Sequence, residues 1–375
     1  MVWLAPMNSL ATEEIHRRAV AGDGDAQFAL SRVFDREGRH EIAVSWLDRA
    51  ARQGHVPSMT WLGTRLLVGR AAPFQPNDGA VLLARAAELG NAEAAARVAV
   101  LSALGIGRPQ SWETALDWLQ TAAERGEAVA RAQLVLLTSD DTVAIDADRP
   151  DPAPSLWARA RKAVDLAAWL TPPAARTVSE SPRIRVFEGF VSPAICAWII
   201  GRARERLIPA RVYDADKGGR RPDGMRTSSG AGFSLLDTDL ILALMRARMA
   251  ATDPGLDTAT FEPCNILRYD IGQRYEPHYD FLNPEAPALA ESLAGQGQRQ
   301  ATFLTYLNAD YTGGETTFPE LDWRFGGKTG DALLFFNVEP DGKVDPRTLH
   351  AGLPPLTGEK WLLSQWIRDQ AQPII

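Results

Sequence analysis

The N-terminal third of the chain carries a hydrophobic pattern that repeats every 36 residues. Trp46, Leu82 and Trp118 recur at this interval, and each is followed by two alanines and a glycine. Small side chains permit close helix contact, and a glycine after them is typical of a helix C-terminus. The repeated positions are Ala50-Ala51 with Gly54, Ala86-Ala87 with Gly90, and Ala122-Ala123 with Gly126. The pattern predicts stacked helix pairs, an all-α solenoid.

This repeat resembles the Sel1-like repeats, relatives of the tetratricopeptide repeat, over residues 12–138. The resemblance implies a surface that contacts other proteins, because such solenoids usually present a concave face to a partner. We therefore expect the repeats to recruit a protein or peptide substrate. A helical bundle that only supports the rest of the chain is the alternative.

Residues 139–181 differ in composition from both neighbouring regions. The first part is acidic and proline-rich, which is typical of a linker, and residues 156–170 predict one helix. Strand-like alternation then begins at Arg183–Phe187, followed by a predicted helix over residues 193–207. A strand predicted over residues 360–367 places Lys360, Leu362, Ser364 and Trp366 on one face. These elements indicate a second domain over residues 182–370.

Composition narrows the functional classes. The formal net charge of −7, from 40 basic and 47 acidic residues, argues against a nucleic-acid partner. The first residues do not predict a secretory signal, and no apolar run reaches the ~18 residues of a membrane-spanning helix, so we expect no membrane partner. Only Cys196 and Cys264 are present, which favours a reducing, cytoplasmic location.

Two histidines and one aspartate in the C-terminal half form a candidate metal site. On a strand, residues i and i+2 face the same side, so His278 and Asp280 project together while Tyr279 faces away. His350 must arrive from a distant strand. Two imidazoles and one carboxylate on one face of a metal leave the opposite face open, as in non-heme Fe(II) oxygenases.

Lys360 follows His350 by ten residues, across a segment rich in turn-forming residues. A buried ammonium needs an anionic partner, because without one it is expensive to bury or loses its proton. A dicarboxylate that chelates iron at one end and contacts Lys360 at the other would satisfy this requirement.

These residues, with Arg268-Tyr269, Gly313-Gly314-Glu315-Thr316 and Gly330-Asp331-Ala332-Leu333, resemble the prolyl 4-hydroxylase family over roughly residues 182–370. The resemblance implies an α+β domain with a double-stranded β-helix (jelly-roll) core, which makes the chain a multidomain protein. It also implies a dioxygenase that uses Fe(II), 2-oxoglutarate and O2, releases succinate and CO2, and takes L-ascorbate as an auxiliary reductant. The expected substrate is a prolyl residue in a protein or peptide.

The resemblance also implies roles for individual residues. His278, Asp280 and His350 match the iron ligands, and Lys360 matches the residue that binds the distal carboxylate of 2-oxoglutarate. Tyr269 matches a tyrosine that often touches the same co-substrate, although a core position explains it equally well. Ser364 and Trp366 face the same way as Lys360 and are further co-substrate candidates, with plain packing as the alternative.

Two polar loops, over residues 214–228 and 281–299, are candidate lids over the substrate entrance. Arg226 in the first loop is the candidate substrate-binding residue, and the alternative is that both loops are solvated connections. Two alternatives to the overall function also remain. One is a 2-oxoglutarate oxygenase acting on another residue or a free amino acid, and the other is a repeat-based interaction protein with a vestigial oxygenase domain.

Overall fold

A computed structural model describes residues 9–149, 153–209, 212–214, 219–221 and 225–373. These residues form two compact units. The first runs to Leu166 and also includes Thr238–Ala243, and the second comprises the remainder. Within the described residues no helix is long and apolar enough to cross a membrane.

The predicted helix pairs are present in the first unit, so the solenoid prediction is confirmed. Corresponding helices begin at residues 40, 76 and 112, and their partners begin at residues 56, 92 and 128, which reproduces the 36-residue period. The helices are α1 (Ser9–Val20), α2 (Gly24–Arg36), α3 (His40–Arg52), α4 (Val56–Val68), α5 (Pro76–Glu88), α6 (Ala92–Leu104), α7 (Trp112–Glu124) and α8 (Ala128–Leu137).

The glycine of each repeat ends a helix as expected. Gly54, Gly90 and Gly126 have φ of 90°, 103° and 92°, a left-handed conformation that glycine adopts without steric penalty. The amide after each glycine donates to a carbonyl in the last helical turn, for example His55 N–H to Ala50 O at 3.0 Å. The alanine pairs before these glycines are almost completely buried, so the small side chains set the spacing between helices.

The segment predicted as a linker with one helix contains three short helices: α9 (Thr142–Ala147), α10 (Pro154–Lys162) and α11 (Leu166–Leu170). Residues 150–152 of this segment lie outside the described residues. The helix α10 packs on the repeats, because Trp157 is buried under the guanidinium of Arg131 and Arg161 pairs with Asp117 at 2.8 Å. An amphipathic helix with one buried tryptophan therefore extends the first unit into the region where composition alone indicated a linker.

The second unit is built from antiparallel strands. Its strands are β1 (Arg176–Glu180), β2 (Arg183–Phe187), β3 (Ile208–Pro209), β4 (Val212–Asp214), β5 (Gly219–Arg221), β6 (Ser229–Phe233), β7 (Cys264–Tyr269), β8 (Tyr275–His278), β9 (Arg299–Tyr306), β10 (Thr312–Gly313), β11 (Thr316–Phe318), β12 (Trp323–Phe325), β13 (Ala332–Phe336), β14 (His350–Gly352), β15 (Pro355–Thr357) and β16 (Lys360–Arg368). The remaining helices are α12 (Pro193–Arg204), α13 (Leu240–Ala250) and α14 (Ala290–Gln296).

Two of its sheets form the jelly-roll core. The major sheet has the strand order β1-β2-β13-β9-β16-β7-β6-β3, and the minor sheet has the order β12-β11-β14-β8. Aromatic and aliphatic side chains from both sheets share one core, in which Phe318 of the minor sheet lies among Tyr269, Leu304, Phe335 and Leu362 of the major sheet. The predicted jelly-roll fold is confirmed.

Candidate metal centre

The two histidines of the candidate site are direct neighbours in the minor sheet. His278 ends β8, His350 begins β14, and the two residues are paired across the ladder. Their ring centroids lie 4.3 Å apart. The distant second imidazole predicted from the sequence therefore arrives through the pairing of two short strands.

Asp280 completes the cluster from just beyond the end of β8. Its Oδ1 lies 3.7 Å from His278 Nε2, and its Oδ2 lies 3.6 Å from His350 Nε2. One potential ligand atom from each of the three residues lies within 4.8 Å of the others. The geometry suits a single metal ion held by two nitrogens and one oxygen.

Backbone carbonyls orient both imidazoles. His278 Nδ1 donates to Glu276 O at 2.8 Å, and His350 Nδ1 donates to Thr348 O at 3.0 Å. A carbonyl only accepts hydrogen bonds, so each Nδ1 carries the proton and each Nε2 keeps its lone pair. Both Nε2 atoms face Asp280, which is the arrangement that a metal ligand pair requires.

The protonation states also favour a cation. Burial, reinforced by neighbouring His350, lowers the pKa of His278 to about 3, so its imidazole is neutral near pH 7. Burial alone would raise the pKa of Asp280, but the neighbouring His350, His278 and Arg299 side chains and the hydrogen bond from Thr302 together lower it. A neutral imidazole and an ionised carboxylate are the forms that bind metal. The residues therefore fit the iron ion that the sequence implied.

Lys360 begins β16 and lies opposite Tyr269 of β7. It is 2% exposed, and its Nζ donates to Gly314 O at 2.7 Å. The rings of Tyr269 and Tyr306 lie 5.5 and 5.3 Å from Nζ. Burial lowers the pKa of Lys360 to about 8. Among the described residues no carboxylate lies within ion-pairing distance of Nζ, so this cation fits the anionic end of a ligand.

One pocket gathers all the residues singled out from the sequence. It is lined by Arg226, Leu267, Tyr269, Tyr275, His278, Asp280, Leu304, Thr316, His350, Gly352, Lys360, Leu362, Ser364 and Trp366. The face predicted for β16 is correct, because its four alternate residues all line the pocket. The roles of Tyr269, Ser364, Trp366 and Arg226 in binding stay predictions.

Tyr275 is a pocket residue that the sequence reasoning missed. Its ring stacks on His278 with centroids 3.4 Å apart, and Cζ of the Arg226 guanidinium lies 5.0 Å from the centroid of the Tyr275 ring. Tyr275 and His278 are three positions apart in the sequence, so a regular strand would point them to opposite sides. The ladder shifts register here, since His350 pairs with His278 but Gly352 pairs with Tyr275. The extra residue on β8 turns both rings the same way, and no side-chain alternation could reveal it.

The candidate lids are only partly described. Residues 215–218 and 222–224 of the first loop lie outside the described residues, while β4 and β5 pair with each other beside them. Arg226, near the end of this loop, forms a bridge with Tyr275, and its Nε donates to Ser228 Oγ at 3.2 Å. The second loop contains α14.

Comparison with known proteins assigns the second unit. Residues 264–368 match the model of the 2OG-Fe(II) oxygenase superfamily. Prolyl 4-hydroxylase 1 of Arabidopsis thaliana is 36% identical over 207 residues, which cover 52% of this chain and 71% of that protein. The solved structure of a viral collagen prolyl hydroxylase from Paramecium Bursaria Chlorella virus-1 is 29% identical, covering 49% of this chain and 94% of that chain with a TM-score of 0.39.

The chain is also similar to a solved helical-repeat structure. A Sel1 repeat protein from Oxalobacter formigenes is 26% identical and covers 33% of this chain and 96% of that chain, with a TM-score of 0.31. The oxygenase match, by contrast, spans most of a curated relative and contains the whole His-Asp-His cluster and Lys360. The chain belongs to the prolyl 4-hydroxylase family of 2OG-Fe(II) oxygenases, and it carries helical repeats before its oxygenase unit.

Proposed function

We propose that this enzyme hydroxylates a prolyl residue in a protein or peptide, with 2-oxoglutarate and O2 as co-substrates and succinate and CO2 as products. The observation that carries the proposal is the shared pocket of His278, Asp280, His350 and Lys360. Two imidazole nitrogens and one carboxylate, beside a buried ammonium that has no carboxylate partner among the described residues, suit a metal and a dicarboxylate together. The family membership supports the prolyl substrate.

Three residues of this chain would hold Fe(II): His278 and His350 through Nε2, and Asp280 through a carboxylate oxygen. When bound, the ion supplies the redox chemistry that couples decarboxylation of 2-oxoglutarate to oxidation of a substrate C–H bond. The chain contributes orientation and exclusion of water. The ligands are buried or nearly so, which strengthens every charge interaction inside the pocket.

Lys360 would bind the distal carboxylate of 2-oxoglutarate, and the Tyr269 side chain opposite it is a second contact. Ser364 and Trp366 lie farther along the same face of β16. The Trp366 indole nitrogen is buried without a hydrogen-bond partner in the described part of the chain, so it is free to donate to a ligand. Charge and hydrogen bonds together would fix the co-substrate in one orientation.

Arg226 and Tyr275 would contact the substrate. The Tyr275 ring lies against a metal ligand on one side and under the Arg226 guanidinium, so it forms an aromatic wall beside the reaction centre. L-Ascorbate would restore iron that is oxidised in uncoupled turnovers. The two cysteines are buried and form no disulfide, which supports a cytoplasmic location.

Two measurements test the chemistry. The purified full-length protein with Fe(II), ascorbate and 2-oxoglutarate should release succinate only when O2 is present. Mass spectrometry of peptide libraries should then find one added oxygen on prolyl peptides. Oxygen added to another residue, or to a free amino acid, would replace the prolyl assignment. No decarboxylation with any library, in folded protein that binds Fe(II), would favour a vestigial oxygenase domain.

The repeats would recruit the protein substrate, since a linked second surface raises the effective concentration of the right partner. Because Trp157 is buried within the first unit, a truncated chain should start at Ala167 rather than inside α10. The truncated protein should oxidise short peptides with unchanged KM, while its KM for the full-length target rises. Equal losses on both substrates, in truncated protein shown to be folded, would eliminate recruitment and leave a supporting role.

A further inference from the structure

The three metal-binding side chains are held in two different ways. Each imidazole donates to a main-chain carbonyl two residues earlier in the chain. Asp280 is held by a side chain instead, because its Oδ2 accepts a hydrogen bond from Thr302 Oγ1 at 2.8 Å. The orientation of the carboxylate therefore depends on a residue that substitution can change.

The direction of these hydrogen bonds is set by their chemistry. An ionised carboxylate only accepts, so the single hydroxyl proton of Thr302 points to Asp280. The hydroxyl oxygen then accepts from Asn337 Nδ2 at 3.1 Å. A chain of two donated hydrogen bonds thus runs from Asn337 through Thr302 to Asp280.

Both supporting residues are completely buried and held by the major sheet. Thr302 lies in β9, paired with Phe335 of β13 and Trp366 of β16. Asn337 follows β13 directly, and its amide N–H donates to Gln300 O at 2.8 Å while its carbonyl accepts from Asp345 N–H at 2.9 Å. Neither residue lines the pocket. Any effect they have on the site therefore passes through Asp280.

We propose that Thr302 and Asn337 are positioning residues that set the affinity of the site for its metal ion. Thr302 holds one carboxylate oxygen of Asp280, which prevents rotation of the carboxylate and keeps the ligand oxygen directed at the two Nε2 atoms. Asn337 fixes the hydroxyl rotor of Thr302. This inference rests on the proposed iron site and identifies two residues that set its affinity for the metal.

The main test is the near-isosteric substitution Thr302→Val, which removes the donor and keeps the shape. The full-length protein is titrated with Fe(II) under anaerobic conditions in a calorimeter. Its affinity for Fe(II) should be reduced by about 10- to 100-fold, the usual effect of removing a group that orients a metal ligand. Thr302→Ser keeps the hydroxyl and should restore most of the affinity. The Co(II) absorption spectrum should change in Thr302→Val and not in Thr302→Ser.

Thr305→Val is the matched control. Thr305 lies on the same strand, is also completely buried, and its hydroxyl has no hydrogen-bond partner among the described residues. Its substitution removes an identical hydroxyl without touching the chain to Asp280. Metal affinity should equal that of the wild type.

Asn337→Ala tests the hydrogen bond from Asn337 to Thr302. It also provides an independent test of the proposal if Thr302→Val does not fold. Alone it should weaken Fe(II) binding less than Thr302→Val, and combined with Thr302→Val it should add little, since residues acting in series are not additive. Activity should shift to higher iron concentrations while kcat at saturating iron changes little.

Outcomes separate this inference from the iron site itself. Wild-type protein that does not bind Fe(II) would overturn the proposed function and this inference with it. Wild-type protein that binds Fe(II), with folded Thr302→Val and Asn337→Ala proteins that bind it equally well, would overturn the positioning role alone. A loss in Thr305→Val as large as in Thr302→Val would also overturn it, because it would show a general effect of the strand.

Discussion

The two units of this chain place their important residues by different means. In the helical unit, equivalent positions recur at one spacing, and each helix packs on helices close to it in sequence. In the oxygenase unit, Tyr269 lies opposite Lys360, and His278 lies opposite His350, although these partners are far apart along the chain. The repeats can therefore be recognised in the sequence from their regular spacing. The site can be recognised only from the types of its residues.

The two interiors also differ in chemistry. Alanine pairs fill the contacts between the repeats, and close packing of these small side chains stabilises the helical unit. The oxygenase interior buries a group of polar side chains around one pocket, among them Asp280, His350, Lys360 and Thr302. Buried polar groups are tolerated only where partners or ligands satisfy them, so their concentration in one unit marks where chemistry takes place.

The largest expected effect comes from replacing a histidine of the oxygenase unit, compared with replacing one of the helical unit. His350→Ala should abolish turnover and strongly weaken Fe(II) binding, because it removes one of three protein ligands. His40→Ala should leave both unchanged, since His40 is an exposed partner of Asp35 in the helical unit. Iron content and succinate release measure the difference. Stoichiometric Fe(II) and full activity in His350→Ala would mean that the metal lies elsewhere.

Two lysines allow a similar contrast. Lys360→Ala should leave Fe(II) bound but raise the apparent dissociation constant for 2-oxoglutarate about 10- to 100-fold, as expected for a charge-assisted hydrogen bond of ~1.5–3 kcal/mol. Lys343→Ala should have no effect, because Lys343 is exposed and pairs only locally with Asp341. Unchanged 2-oxoglutarate affinity in Lys360→Ala would remove this residue from the site.

The pH dependence of 2-oxoglutarate binding sharpens the same point. Burial lowers the pKa of Lys360 to about 8 in the ligand-free protein, and only its ammonium form attracts a carboxylate. Affinity should therefore be constant below about pH 8 and fall as the pH rises further, by roughly tenfold per pH unit once the free lysine is neutral. Lys360→Arg remains charged in this range and should bind more weakly at neutral pH but lose the pH dependence. The same decline in both proteins would assign the titration to another group.

The smallest effect concerns stability alone. A Cβ at Gly79 would lie 2.6 Å from Gly63 O and 2.9 Å from Leu67 N, where α4 and α5 touch. Gly79→Ala should lower the free energy of unfolding of the helical unit by about 1–3 kcal/mol through overpacking. Gly201→Ala on α12 meets nothing within 4 Å and should be neutral or stabilising, by up to ~1 kcal/mol. Thermal unfolding compares the two, and 2-oxoglutarate turnover at low temperature should be unchanged in both.

Much of this architecture could be predicted from the sequence. The period located the helix pairs to within a few residues, because every repeat offers the same pattern again. The alternation of β16 identified the face that lines the pocket. The residue types at 278, 280 and 350 indicated a metal site, since few other functions require two histidines, a carboxylate and a buried lysine together.

The remaining features of the fold and the site depend on three-dimensional contacts that the sequence pattern does not indicate. The register shift in β8 concealed Tyr275, and the single helix predicted over residues 156–170 is two short helices in the structure, α10 and α11. The hydrogen bonds from Asn337 through Thr302 to Asp280 join residues from three separate parts of the chain. Threonine and asparagine occur throughout the chain, so only three-dimensional proximity distinguishes these two.

The carbonyls that hold His278 and His350 have a consequence for metal binding and dissociation at the proposed iron site. Folding has already selected the tautomer and rotation of both rings, so an arriving ion loses little free energy to ordering its ligands. Sites that are assembled by their own metal unfold when the metal is removed. Here the restraints belong to the main chain, so an Fe(II) ion held by these residues would dissociate and be replaced without unfolding of the sheet.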